Sequence, residues 1–357
     1  MHPLKDAMPR PLTMAAADEL IACCTHEISS TAVVREPLLS VCLLTYNQQQ
    51  YIRQAVESAL AQETDFPFEI VIGDDHSDDG TGDILRDLQR SHPEKIRLLQ
   101  ATENLGRHTG NGRLNMIRTL RACRGEFVAM LEGDDFWTAP QKLQRQVDAL
   151  KAHREWAICF HSTHFFWDDG SQTPFDFPLE FDRPVSTVEH LIDSNFMQTC
   201  SVVFRNRLFG QFPEWFLEVG LGDWPLHILN SLHGDIGFLP ETLAAYRVHS
   251  RGFWTSKSTE ECDAIIRNFR LLLHRNLPRP LSDRAAERLV SGYADQIEVL
   301  TDACRDKVHS IDILRQHIEK LNEQHEQSVS LRLGRSLLAP LRAVRGLIRS
   351  GASAPIP

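Results

Sequence analysis

Carboxylates are the groups in this chain best suited to chemistry, and they come in two clusters. The first, Asp74-Asp75-His76-Ser77-Asp78-Asp79-Gly80-Thr81, follows an apolar run at 68–72. The second, Glu132-Gly133-Asp134-Asp135, follows an apolar run at 127–131. Each run reads as a buried strand, so each cluster stands at a strand's C-terminal end, the edge where open α/β sheets bind ligands. Acid groups converging there repel one another unless a cation or polar ligand lies between them. A metal-bound, phosphate-carrying substrate meets that requirement.

Two plainer readings compete. Asp, Ser and Gly favour turns for backbone reasons alone. The other is a calcium loop of the EF-hand type. With Gly80 at the obligatory glycine, Asp75, Ser77 and Asp79 fall on early ligand positions, but the closing position falls on Arg86. That position needs a bidentate carboxylate, so a cation there excludes the loop.

The elements that must position these groups follow from the apolar pattern. A strand at 38–44 leads into the turn Thr45-Tyr46-Asn47, and Ile52, Val56 and Leu60 recur at helical spacing. After the strand at 68–72, a helix from Thr81 carries Ile84, Leu85 and Leu88. A strand at 96–99, a loop at 102–110, a helix at 111–123 and the strand at 127–131 complete the set. Strands alternating with helices predict a doubly wound, mostly parallel α/β sheet flanked by helices. No Gly-x-Gly-x-x-Gly follows a strand and no Walker A sequence is present, so a nucleotide would have to be held by the strand-end carboxylates. Further on, the pattern predicts a helix at 141–153, a strand at 157–161, a loop at 167–184, a short strand at 201–204 and a helix opened by Gly222-Asp223-Trp224-Pro225. Four segments result: a loosely attached N-terminal extension at 1–36, the α/β domain at 37–257, a polar helical region at 258–327 and a basic tail at 328–357.

Composition narrows the class. The 357 residues are 42% hydrophobic and 24% charged, with a formal net charge of -10. An acidic body argues against nucleic acid as a partner, whose binding surfaces are basic. The eight cysteines include no Cys-x-x-Cys pair, which fits a reduced, cytoplasmic setting. No apolar stretch reaches the ~20 residues of a membrane helix, and the N-terminus lacks a signal-peptide core.

The ordered set of motifs resembles the family-2 glycosyltransferases of the GT-A fold over roughly residues 38–255. Thr45-Tyr46-Asn47 ends the first strand, Gln62 follows the first helix, and the Asp-Asp-x-Ser-x-x-Gly-Thr stretch occupies 74–81. Asn104-Leu105-Gly106 precedes the third helix, and Glu132-Gly133-Asp134-Asp135-Phe136-Trp137 stands where the family has Asp-x-Asp. Gly222-Asp223-Trp224 and Tyr246-Arg247-Val248-His249 close the series.

The resemblance implies transfer of a sugar, with inversion, from a nucleotide diphosphate donor such as a UDP-sugar to a glycan or lipid-linked acceptor in cell-surface glycan assembly. It implies Mg²⁺ or Mn²⁺ as cofactor. By the same resemblance Asp75 accepts from the nucleotide base, and Thr45, Tyr46, Asn47, Ser77 and Arg107 line the donor. Glu132, in place of the first Asp of the motif, reaches a ribose hydroxyl. Asp134 meets both donor and metal, with Asp135 and His249 as further metal ligands. Asp223 is the candidate base. Its plain alternative is a helix N-cap, and that of His249 is a structural histidine. A sugar nucleotidyltransferase is disfavoured because no Lys or Arg occurs between Thr45 and Arg53; a catalytically silent binding module is the third reading.

The helices at 258–327 offer an oligomer contact. In the tail, residues 331–349 interleave Leu331, Leu338 and Leu341 with Arg332, Arg335, Arg342, Arg345 and Arg349 and contain no acid. That is the pattern of a basic helix lying on an anionic membrane surface, which would place the protein peripherally on the inner face of the cell membrane.

Overall fold

The computed structural model of the chain describes residues 12–178 and 181–327. In chain order its strands are β1 (Thr25–Ile28), β2 (Leu39–Thr45), β3 (Phe68–Asp74), β4 (Ile96–Ala101), β5 (Phe127–Glu132), β6 (Phe136–Trp137), β7 (Trp156–Trp167), β8 (Phe175–Phe177), β9 (Val185–Ser186), β10 (Val203–Arg205) and β11 (Asp235–Val248). Its α-helices are α1 (Met14–Cys24), α2 (Ile52–Leu60), α3 (Thr81–Ser91), α4 (Arg113–Ala122), α5 (Lys142–Ala152), α6 (Val188–Asp193), α7 (Asp223–Ser231), α8 (Thr259–Asn276) and α9 (Leu281–Gln327).

Strands β4-β3-β2-β5 form the expected parallel half of the sheet. They read as unbroken apolar runs because helices cover both faces. Val41, Leu43, Ile70, Ile72 and Leu131 join one core with Ile52 of α2, Leu85 of α3 and Leu143 of α5. The intervening Cys42, Val71, Val128 and Met130 join a second core with Ile117 of α4 and Ile228 of α7. Beyond β5 the sheet is mixed. Strand β10 runs antiparallel to both β5 and β7, β7 and β11 are parallel, and β11 pairs β6 antiparallel.

Three expectations change. Residues 14–28 are not a loose extension. Helix α1 buries Met14, Ala17 and Cys24, and β1 pairs β4 antiparallel as an edge strand. Its Thr-His-Glu-Ile sequence is half solvent-facing, which left no apolar run to read. The boundary near 257 moves too. Helix α8 buries Phe269, Leu272 and Leu273, with Phe269 edge-on to Trp224 at 5.1 Å, and the first compact unit extends to Val290. Finally, β7 runs beyond the strand expected at 157–161, β11 lies where no strand was expected, and the stretch expected as a loop contains β8. The second unit comprises 291–357, of which the continuation of α9 through Gln327 is described. The basic tail 331–349 lies outside the described residues. No described helix is long and apolar enough to cross a membrane.

Candidate active site

Register brings the strand ends together. Thr45 pairs with Asp74 and Leu44 with Glu132, so β2, β3 and β5 finish at one edge. The chain leaves β5 through Gly133, where a Cβ would stand 2.4 Å from Gln48 Oε1 and 2.9 Å from Thr45 Oγ1. Any side chain here would have to push aside those of Gln48, Ile52 and Thr45.

The second acidic cluster closes into one group. One oxygen each of Glu132, Asp134 and Asp135 lies within 4.8 Å of the others, the only such metal-ligating group among the described residues. Asp135 is buried. Its Oδ1 accepts from the Arg247 N–H at 2.9 Å, while Oδ2 is buried without a hydrogen-bond partner among the described residues. Asp134 Oδ2 stands 3.1 Å from His249 Nε2. Burial, then the charges of Asp134, Asp135 and Asp223, pushes the Glu132 carboxyl well above the usual carboxylate range. Burial and Asp134 do the same to Asp135. The same acids, after burial, raise the Tyr246 phenol, so its O–H stays a donor.

This is a negative pocket whose repulsion a divalent cation would relieve. The hard-oxygen donor set, which includes one buried carboxylate oxygen without a hydrogen bond among the described residues, fits Mg²⁺ or Mn²⁺. Asp134 lies with Glu132 and Asp135 in this group and against His249.

The side chain that locks this cluster was not assigned a role from sequence. Arg247, near the end of β11, donates from Nε to the Asp134 carbonyl at 3.0 Å, from Nη1 to Asp168 at 2.7 Å and from Nη2 to Gln54 at 2.7 Å. Its guanidinium lies over Tyr51 at 4.6 Å and Phe166 at 4.8 Å. Tyr51 donates to Asp168 at 2.9 Å, and its ring sits 5.1 Å from that of His249. Tyr51, Gln54, Asp168 and Arg247 therefore hold His249 against Asp134. Only the occurrence of Arg247 inside Tyr-Arg-Val-His pointed to it.

Asp223 is the first residue of α7. The N-cap is Gly222, and no side-chain cap bond forms, so the plain capping reading fails. Its Oδ2 accepts from Asn195 Nδ2 at 3.2 Å. Asp223, Asn195, Tyr246, His249 and Trp254 line one cavity of about 580 Å³. A carboxylate on the wall of a sugar-sized cavity, beside a cation-type cluster, is placed to accept a proton from a bound hydroxyl.

The first acidic cluster turns out differently. It does not join the metal-type group but binds two loops to each other. Asp74 Oδ1 accepts from Ser77 Oγ at 2.6 Å, and Ser77 Oγ accepts from the Asn47 N–H at 2.9 Å. Asn47 Oδ1 accepts from the Asp78 N–H, and Thr81 Oγ1 accepts from the Gln48 N–H, both at 2.9 Å. Asn47 and His76 take left-handed φ values of 53° and 61°. Ser77 and the Asn47 side chain thus serve the turn. Asp75 is buried, accepting from the N–H groups of Leu105 at 2.8 Å and Gly106 at 3.1 Å. Burial raises its carboxyl against the lowering effect of those donors. It fixes the turn on which Arg107 stands exposed. Thr45 is buried, with Oγ1 donating to Gln48 Oε1 at 2.8 Å, and Tyr46 is exposed.

The glycosyl transferase family 2 model matches residues 40–209. An uncharacterised protein of Mycobacterium tuberculosis (strain ATCC 25618 / H37Rv) is 38% identical over 223 residues, 62% of this chain and 62% of that protein, so less than two thirds of that relative is spanned. The putative teichuronic acid biosynthesis glycosyltransferase TuaG of Bacillus subtilis is 33% identical over 224 residues, 62% of this chain and 83% of TuaG. Among solved structures, residues 1–349 of S. aureus TarS in complex with UDP-GlcNAc share the fold at a TM-score of 0.53 and 20% identity, over 71% of each chain.

Proposed function

The chain belongs to the family-2 glycosyltransferases, and from that premise we propose that it moves a sugar from a nucleotide diphosphate donor to a hydroxyl of a saccharide or lipid-linked acceptor, with inversion. One observation carries the reading: Glu132, Asp134, Asp135 and His249 meet at the sheet edge, beside a cavity with Asp223 on its wall. The name of TuaG favours a cell-surface glycan as the setting. TarS, which shares the fold, holds UDP and UDP-GlcNAc, so UDP-sugars are the first donors to test.

In this reading Asp134, Asp135 and His249 would hold Mg²⁺ or Mn²⁺, which when bound would supply Lewis-acid neutralisation of charge on the leaving diphosphate. Thr45, Tyr46 and Asn47 line the nucleoside from the β2 end. Asp75 uses its remaining lone pairs for the base, Ser77 steadies the loop beside it, and Arg107 meets the donor from the turn that Asp75 fixes. Glu132 meets a ribose hydroxyl. Asp223, oriented by Asn195, takes the proton of the acceptor hydroxyl. The hydroxyl oxygen attacks the anomeric carbon as the bond to the diphosphate oxygen breaks.

The test is a panel of nucleotide sugars incubated with the full chain, with and without chelator. Release of nucleotide diphosphate from one donor, lost in chelator and restored by Mn²⁺ or Mg²⁺, supports the reading. Full turnover in excess chelator contradicts it.

A further inference from the structure

Helix α9 carries an apolar stripe that the sugar-transfer reading does not use. Ile297, Ile311, Leu314 and Ile318 are 64%, 49%, 62% and 56% exposed. With Ile297 at heptad position a, that position recurs at Cys304, Ile311 and Ile318. Position d falls on Leu300, Lys307, Leu314 and Leu321. Ile297, Ile311 and Ile318 at a, and Leu300, Leu314 and Leu321 at d, keep multiples of seven, with Cys304 and Lys307 in the middle places and Val308 and Ile313 exposed at e and c; a seven-residue repeat winds helices into a left-handed supercoil. We propose that residues 297–321 pair with the same segment of a second copy of this chain in a parallel, two-stranded coiled coil.

Three features select this occupant. β-Branched residues at a with leucine at d favour two parallel strands. The flanking e and g positions are Thr301, Val308, Arg315 and Asn322, and Gln296, Ala303, Ser310 and His317. Their one fixed charge, Arg315, contacts Asp312 of its own helix at 3.5 Å, so identical helices meet without opposing rows of like charge. The remaining charges, among them Glu298, Asp302, Arg305, Asp306, Asp312 and Glu319, take the b, c and f positions away from the seam. The size is also sufficient. At ~100 Å² per seam position, eight positions on each of two helices bury about 1,600 Å², a standard specific interface. Lys307, at d, is the one charged seam residue and costs the pairing some stability.

The arrangement sets Cys304, an exposed thiol, opposite Cys304 of the second copy. Diamide would then take two electrons and two protons from the pair as one S–S bond forms.

The test uses the full chain under reducing conditions, by size exclusion with light scattering. The expected mass is twice 40.6 kDa, falling to the single-chain mass when Ile311→Glu and Leu314→Glu are combined. Both side chains are exposed in one copy, so the double variant retains its fold, checked by an unchanged melt of the sheet domain. Diamide should cross-link wild type and Cys23→Ser into dimers but leave Cys304→Ser uncross-linked. A monomeric wild type, a trimer or tetramer, a dimer indifferent to the double substitution, or a dimer that does not cross-link through Cys304 would each overturn the proposal.

Discussion

Replacing Arg247 with Met tests whether the acidic cluster is held by a built scaffold or merely happens to be near it. The substitution keeps an apolar stem over Tyr51 and Phe166 but removes three donors and the charge. The bond to the Asp134 carbonyl, from a mostly buried guanidinium, is worth ~1.5 kcal/mol. The Asp168 pair is discounted to ~1 kcal/mol, because Asp168 is about a third exposed. Gln54 is exposed and contributes ~0.5 kcal/mol, and the two ring contacts add ~1 kcal/mol. The sum is about 4 kcal/mol, which in a unit of this size lowers the melting temperature by roughly 8 °C. Arg247→Lys should fall between, since an ammonium keeps the charge but cannot reach three acceptors. Thermal melts give the first reading, and transfer kinetics across a Mn²⁺ titration give the second. Both variants should need more Mn²⁺, because Arg247 sets Asp134 and, through Tyr51, His249. A melt of Arg247→Met within about 1 °C of wild type, with an unchanged Mn²⁺ requirement, refutes the scaffold.

Asp223→Asn should lower turnover by about 10²–10⁴-fold, the usual worth of a general base, and leave donor KM nearly unchanged; normal turnover removes Asp223 from the reaction. Gly133→Ala pushes a methyl into Gln48 and Thr45 and should cost about 1–3 kcal/mol in stability while raising donor KM; a silent substitution would mean the strand end is not tightly packed. Lys142 is fully buried over Trp137 at 4.1 Å, and burial lowers its ammonium from 10.5 to about 7. Between those values the unfolded chain binds the proton and the folded chain does not, so this group makes stability rise with pH across that window. Lys142→Met should therefore stabilise the protein at pH 7, with a ceiling of about 5 kcal/mol from a shift of 10.5 − 7 = 3.5. The gain should shrink toward pH 9.5, and a pH-independent difference in melting temperature would contradict the burial argument.

The parallel half of the fold was legible because helices cover both faces of β2, β3 and β5 and leave continuous apolar runs. The acids at the ends of those runs were legible for the same reason. Which acids do chemistry was not, since Asp, Ser and Thr serve a turn and a ligand equally well. Asp74, Ser77 and Thr81 went to hydrogen bonds between loops, whereas Glu132, Asp134 and Asp135 remained together at the edge. Strand β7 was missed beyond its apolar start because His161, Ser162, Thr163 and His164 interrupt the run, and β11 was missed altogether because Pro240, Glu241 and Thr242 break its apolar residues. The pairing of Arg247 with Phe166 and of Val248 with Trp167 depends on register between segments far apart in sequence. Tyr51, Asp168 and Arg247 converge only after that pairing, so no local pattern could have joined them. Asp223 was singled out through the order of motifs, and its contact with Asn195 had no sequence signal, since Asn195 stands in no motif.

In the proposed function, Asp134, Asp135 and His249 form a cation site completed by the donor's diphosphate. Electron paramagnetic resonance of Mn²⁺ titrated with the full chain, with and without UDP, tests this without relying on turnover. The expected result is weak loss of the free Mn²⁺ signal with protein alone, strong loss when UDP is added, and no UDP-dependent loss in Asp134→Asn that melts like wild type. A free Mn²⁺ signal equal with and without wild-type protein in the presence of UDP, or equal binding by Asp134→Asn, would contradict it.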